Sequence, residues 1–293
     1  MKIKAVVVLI GAFLLGAPIV FGQGSGYENE ILNWRAKYQE KLLADDGWLT
    51  VAGLSWLLEG VNTVGNGETY DVRLTASFGG AKFGEITLAR DSAKLSVENG
   101  VTATVAGQPV GAIELSPKEG KPPIIEVGSQ SFFLIKREDR IGIRVRDRKN
   151  PSRLNFAGLS WYSVDPAFRV EADFEPFDEP REILVPNVLG GNFKYKSPGL
   201  LVFRIKGKKY TLQPVEEGEK LFIIFRDSTS RSETYGAGRF LYSAKPVDGK
   251  VTLDFNKAEN PPCAYTPFAT CPLPPPQNRL SVAIKAGEKR FDH

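Results

Sequence analysis

The chain has 293 residues, 42% of them hydrophobic and 25% charged, which is the make-up of a globular protein with room for two domains. Its formal charge of +4 is spread among interspersed acids and bases, with no basic stripe to suggest a nucleic-acid partner. One histidine, the terminal His293, and two cysteines leave histidine-based hydrolysis without its imidazole and a structural zinc without four ligands.

Lys2 and Lys4 precede the apolar run Ala5 to Leu15 and then Gly16-Ala17-Pro18, the pattern of a secretory signal peptide over residues 1–22, with cleavage near Gly22. The run is short for a membrane span, no later segment approaches one, and an uncleaved anchor is the alternative. The expected location is secreted or periplasmic. In such a compartment Cys263 and Cys271 can pair as a disulfide worth about 2.5 kcal/mol. Pro262 and Pro272 beside them can also shape the loop without a bond.

Residues 23–47 carry an amphipathic helix: Ile31, Trp34, Tyr38, Leu42 and Leu43 share a face, and Asp45-Asp46-Gly47 stops it. Residues 48–147 read as short strands and turns, an all-β sandwich. Asn99-Gly100 predicts a hairpin between Leu95–Val97 and Val101–Val105, and a charged turn from Arg137 to Arg140 predicts another between Phe132–Lys136 and Ile141–Val145. Gly60-Val61-Asn62-Thr63-Val64-Gly65, the run Gly100 to Val110 and Ile125-Glu126-Val127-Gly128 resemble a degenerate forkhead-associated domain; a generic sandwich is the alternative. That family binds phosphothreonine through an Arg after its first glycines and a Ser-x-x-His motif. Asn66 stands at the Arg position and Ser77-Phe78-Gly79-Gly80 lacks the His, so the resemblance implies the scaffold without phosphopeptide binding.

Asp147 to Arg153 is polar and broken by Pro151, which marks a domain boundary, and residues 148–293 read as a second β domain, barrel or sandwich. Phe168, Val170, Ala172 and Phe174 alternate with charged residues, as in a half-buried strand. Lys206 to Lys209 turns between Leu200–Ile205 and Tyr210–Gln213. Leu221 to Phe225 is apolar on both faces, as in a central strand. The tail runs through Pro272 to Pro276, a stiff strap, to a last strand from Leu280 to Lys285.

The densest polar and aromatic mixture lies between Leu221 and Gly287. A two-residue turn at Asp248-Gly249 would set Ser243 opposite Asp254 and Arg239 diagonal to Asn256. Phe240, Tyr242, Leu253 and Phe255 would then face the core, and Arg239, Ser243, Thr252, Asp254 and Asn256 the other side. Asp227 and Asp254 are the candidate catalytic carboxylates. Arg239, Tyr235, Ser243, Asn256, Asn260 and Arg279 are candidate ligand-binding residues. Gly236 and Gly238 offer backbone N–H groups to an anion, or merely bend the chain. No cofactor is implied.

The runs Arg226 to Ser230, Glu233 to Leu241, Leu253 to Ala258, Asn260 to Tyr265 and Thr270 to Pro276 resemble the bacterial domain-of-unknown-function family 1684. Asp46 to Leu54 and Val185 to Gly190 fit the same family, and Glu259 departs from it where an aromatic is expected. The resemblance implies no activity. The expected function is binding of a small polar molecule or glycan by the second β domain. The alternatives are a carboxylate-dependent hydrolase and an envelope scaffold whose polar cluster braces the tail.

Overall fold

Residues 26–75, 80–116 and 120–291 are described in the computed structural model. The expected signal segment, Ser77 to Gly79 and His293 lie outside them. Helix α1 (Gly26–Leu43) buries Ile31, Arg35 and Leu42 on one face. Trp34 and Tyr38 stack at 5.5 Å, and Trp161 meets both edge-on. Gly47 then leads into a short 3-10 turn, Trp48–Thr50.

Strands β1 (Val51–Trp56), β2 (Gly60–Gly65), β3 (Val72–Arg73), β4 (Lys82–Ala89), β5 (Ser92–Val97), β6 (Thr104–Val105), β7 (Gln108–Pro109), β8 (Ala112–Glu114), β9 (Ile125–Val127), β10 (Gln130–Arg137) and β11 (Arg140–Asp147) form two sheets. Their orders are β1-β11-β10-β9-β6-β7 and β3-β2-β4-β5-β8. One core joins them, with Val64, Phe83, Ile86 and Leu95 of one sheet packed on Phe132, Ile143 and Val145 of the other. This is a sandwich. The β10–β11 hairpin closes as expected, with Arg137 opposite Arg140.

The Asn99-Gly100 hairpin does not form. Gly100 takes φ +83°, but β5 pairs with β4 and β8 while β6 pairs with β7 and β9 of the facing sheet. The turn carries the chain across the sandwich instead of folding it back.

A single-turn helix, α2 (Pro151–Leu154), capped by Asn150, leads to the second β domain. Here β12 (Arg169–Pro186), β13 (Asn192–Ile205), β14 (Lys208–Leu212), β15 (Val215–Glu217), β16 (Lys220–Phe225), β17 (Arg239–Ala244) and β18 (Lys250–Asp254) form sheets β14-β13-β12-β18 and β15-β16-β17. The β13–β14 hairpin turns at Lys206-Gly207, both at positive φ. Central strand β16 is buried on both faces. Leu221, Ile223 and Phe225 pack on Ala172, Leu201 and Phe203 of the other sheet. Phe222 and Ile224 pack under Ala269 and Cys271, with Trp48 and Tyr195 alongside.

The register expected around Asp248-Gly249 holds for one pair only. Both turn residues have positive φ, and Val247 and Lys250 exchange two hydrogen bonds of 3.0 and 2.9 Å. Beyond it β17 pairs with β16, setting Leu221 opposite Ser243, and β18 pairs with β12, setting Arg169 opposite Asp254. Past Val247 the two strands part into different sheets. Residues 280–285 are not a strand either; three tail carbonyls, from Ile284, Ala286 and Glu288, are engaged by a side chain instead.

Candidate functional site

That side chain is Arg239, which is 1% exposed. Its Nη2 donates to Asp227 Oδ2 at 2.7 Å and to the Ile284 carbonyl at 2.9 Å. Its Nη1 donates to the carbonyls of Ala286 and Glu288. Asp227 Oδ1 in turn accepts from Thr229 N at 2.7 Å and Thr229 Oγ1 at 2.6 Å. A guanidinium removed from water needs this many partners to be tolerated. Arg239 therefore meets Asp227, not Asp254 or Asn256, and the pair is sealed from any cavity by the tail.

Asp254 caps the 3-10 turn Phe255–Lys257 through Asn256 N at 3.2 Å and accepts from Tyr27 Oη at 2.8 Å. Asn256 Nδ2 donates to Tyr27 Oη at 3.0 Å and to the Asp165 carbonyl at 2.9 Å. Together they fasten the first turn of α1 to the second domain. Burial, then the Asp254 carboxylate, holds the Tyr27 phenol well above its usual range. Ser243 Oγ spans the two sheets to the Thr252 carbonyl at 2.8 Å. Tyr235 Oη donates to the Cys263 carbonyl at 2.9 Å. Asn260 donates from N and Nδ2 to Glu288 at 2.8 Å each. Arg279 stands apart from all of these, on the surface.

The expected Cys263–Cys271 disulfide is corrected: both thiols are free. The Cys263 N–H donates to Cys271 Sγ at 3.2 Å, and the turn Pro262–Ala264 shapes the loop. The flanking prolines and this hydrogen bond hold the segment without a cross-link.

The concave surface lies elsewhere. Two adjoining cavities, of about 810 and 860 Å³, share Trp48, Glu217, Tyr242 and Pro262. The first continues past Tyr195, Arg137 and Cys271, between the sandwich and the second domain. The second runs under α1 past Trp34, Tyr38 and Glu259. Tyr242, expected in the core, is 37% exposed at the junction and stacks on Phe222 at 4.9 Å. The displaced register explains this, because Leu241 takes the core position. Trp48 is backed by Arg144, whose guanidinium lies 5.1 Å from the ring. Burial first, and then the neighbouring Arg137 and Arg146, lower that guanidinium to about 10.

Glu259 stands half-buried in the cleft. It exchanges backbone bonds with Phe240, yet its carboxyl has no hydrogen bond or ion pair among the described residues. Burial raises its pKa to about 8, aided by the nearby Glu288, which burial lifts to about 7. Lys41 and Lys220 oppose the shift and Glu217 adds to it. The departure of this position from an aromatic was the sequence signal that could have found it. Trp48, Tyr195, Glu217 and Tyr242 gave none, since aromatic and acidic residues at such spacings are ordinary in strands. Among the described residues, no three His, Cys, Asp or Glu cluster as metal ligands, and no helix is long and apolar enough to cross a membrane.

The model of the family described as protein of unknown function (DUF1684) matches residues 154–289. The uncharacterized protein from gene locus rrnAC0354 of Haloarcula marismortui, known from a solution NMR structure, is 34% identical over 48% of this chain and 81% of its own, with a TM-score of 0.41. The FHA domain of FhaA, solved with the intracellular domain of Rv3910, is 23% identical over 32% of this chain and 97% of its own, with a TM-score of 0.23. The FHA structure of Rv0020c is 24% identical over 32% of this chain and 94% of its own, with a TM-score of 0.22. No curated protein matches the chain.

Proposed function

This chain belongs to the DUF1684 family of proteins of unknown function, and we propose from its own cleft that it binds a small polar ligand, a sugar ring being the best fit. One observation carries the reading: two cavities meet at Trp48 and Tyr242, with Glu217 and Glu259 among the lining groups. Large aromatic faces beside a few convergent polar groups are what a ligand pocket needs. A sugar offers C–H faces to stack on such rings and hydroxyls to donate to the carboxylates.

A second reading, carboxylate-dependent hydrolysis, draws on Glu259. A carboxyl held protonated up to about pH 8 can donate a proton at neutral pH, with Glu217 as a second carboxylate of the cleft. This moves the acid–base role from Asp227 and Asp254, whose oxygens are engaged in bracing. The scaffold reading is supported by Arg239 and the tail, but it gives the cleft no purpose. We place the activity outside the cytoplasm on the strength of Lys2, Lys4 and the apolar run after them; recovery of uncleaved protein only from the cytoplasm would count against that.

Titration of a panel of neutral and acidic oligosaccharides, followed by tryptophan fluorescence and calorimetry, tests both readings. Trp48→Ala and Tyr242→Ala should each weaken the best ligand by about tenfold or more. Glu259→Gln should keep binding and abolish any turnover. If no member of the panel binds, or both aromatic variants bind as well as the parent, the cleft is not a ligand site.

A further inference from the structure

A separate pocket of about 370 Å³ lies beside the Gly-rich turn, bordered by Arg226, Arg231 and Arg279 and floored by Gly236, Ala237 and Pro274. It shares no residue with the cleft. We propose that this pocket is an oxyanion site, built for a tetrahedral phosphate or sulfate group.

The three guanidiniums come from three segments: the end of β16, the turn after it, and the chain beyond the proline strap. Among the described residues none of them has an ion pair or a side-chain hydrogen bond. The fold nevertheless forces two of them together. Arg226 and Arg279 are partners in a parallel bridge, with Arg226 N donating to the Asn278 carbonyl at 3.0 Å and Leu280 N to the Arg226 carbonyl at 2.7 Å. Like charges set directly opposite repel, so such a pair calls for an anion between or beside them. The nearest acid in sequence, Asp227, cannot serve, because its side chain is 1% exposed and committed to Arg239.

The walls are fixed by close packing. Gly238 has φ +105°, and a Cβ there would lie 2.5 Å from Pro274 Cγ. Only glycine lets the proline strap seat against the turn, and the strap carries the chain on to Arg279, opposite Arg226. Guanidinium forks suit the oxygens of phosphate and sulfate, to which they donate paired, charge-assisted hydrogen bonds. The glycine-rich bend thus acquires a role in anion binding through what it positions.

The test is calorimetric titration of the protein at low ionic strength with inorganic phosphate, sulfate, chloride and glucose 6-phosphate. Phosphate and sulfate should bind at one saturable site, and chloride should not. Arg279→Gln and Arg226→Gln should each weaken phosphate by about tenfold or more. Lys209→Gln, the same charge change at an exposed position of β14, should leave it within about twofold. Glucose 6-phosphate binding at least as tightly as phosphate would assign the site to an ester, and weaker binding to the free anion. Absence of saturable binding, or equal losses in Lys209→Gln and Arg279→Gln, overturns the proposal. Both arginine variants should keep the circular dichroism spectrum of the parent; if Arg226→Gln does not fold, the exposed Arg279→Gln decides the matter.

Discussion

At Arg239 a cation enters the interior, and water that solvated it in the unfolded chain must be replaced by protein groups. Asp227 and three tail carbonyls do this, which couples strand β17 to a segment that has no ladder of its own. Truncating one member of a buried pair leaves the other charge unpaired, so Arg239→Met should lose about 3–5 kcal/mol in urea unfolding. Restoring neutrality in the Arg239→Met, Asp227→Asn double variant should recover part of it. A single-variant loss below about 1 kcal/mol would show that the tail is held by other means. Arg239 and Asp227 were visible in the sequence as polar residues worth weighing, but their partnership was not. Asp227 lies just past the end of β16 and Arg239 opens β17, and they meet only after β16 and β17 have paired.

Among the elements, the turns carry the lesson. Asn99-Gly100 and Asp248-Gly249 both have the chemistry of a tight hairpin, and both turn sharply with positive φ at glycine. Neither joins a continuous ladder, because the flanking segments pair more extensively with other strands. Local turn chemistry dictates a reversal of the chain, whereas pairing depends on which edge each strand finds. Two glycines separate the effects of conformation and space. Gly249 has φ +73° with nothing within 4 Å of an added Cβ, whereas at Gly238 the Cβ would meet Pro274 Cγ at 2.5 Å and the Phe225 carbonyl at 2.6 Å. Gly249→Ala should therefore cost about 1 kcal/mol through backbone strain alone. Gly238→Ala should cost about 1–3 kcal/mol more through displacement of the strap. Equal losses in thermal unfolding would refute the strap contact.

Over the whole molecule, α1, the Trp48 turn and the second domain enclose a carboxyl pair whose titration is coupled to folding. Glu259 is raised from the ordinary 4.5 to about 8 and Glu288 to about 7, burial being the first cause for both. Hydrogen bonds from Asn260 and Tyr265 favour the ionised form of Glu288 without outweighing its burial. In the window between about 4.5 and about 8 the folded chain holds protons that the unfolded chain has released. Stability should then be highest near the acid end of that window and fall as pH rises through it. Glu259→Gln, which cannot ionise, should flatten the slope. Thermal midpoints that rise with pH across the window, or a slope unchanged in the variant, would place the proton elsewhere.

The sequence by itself determined the mainly β architecture, the N-terminal helix with its buried face, the double-sided burial of β16 and two of the hairpins. Each follows from periodicity or turn chemistry that acts over a few residues. It also singled out Arg239, Asp254, Asn256 and Asn260 as candidate site residues. Only the tertiary structure decided what they do, because their partners lie far off in sequence: Tyr27 for Asp254, Glu288 for Asn260, the tail carbonyls for Arg239. The cleft was equally out of reach of local signals. Trp48, Tyr195, Glu217, Tyr242 and Glu259 come from separate strands and turns, and they border one surface only because β17 leaves its hairpin for another sheet.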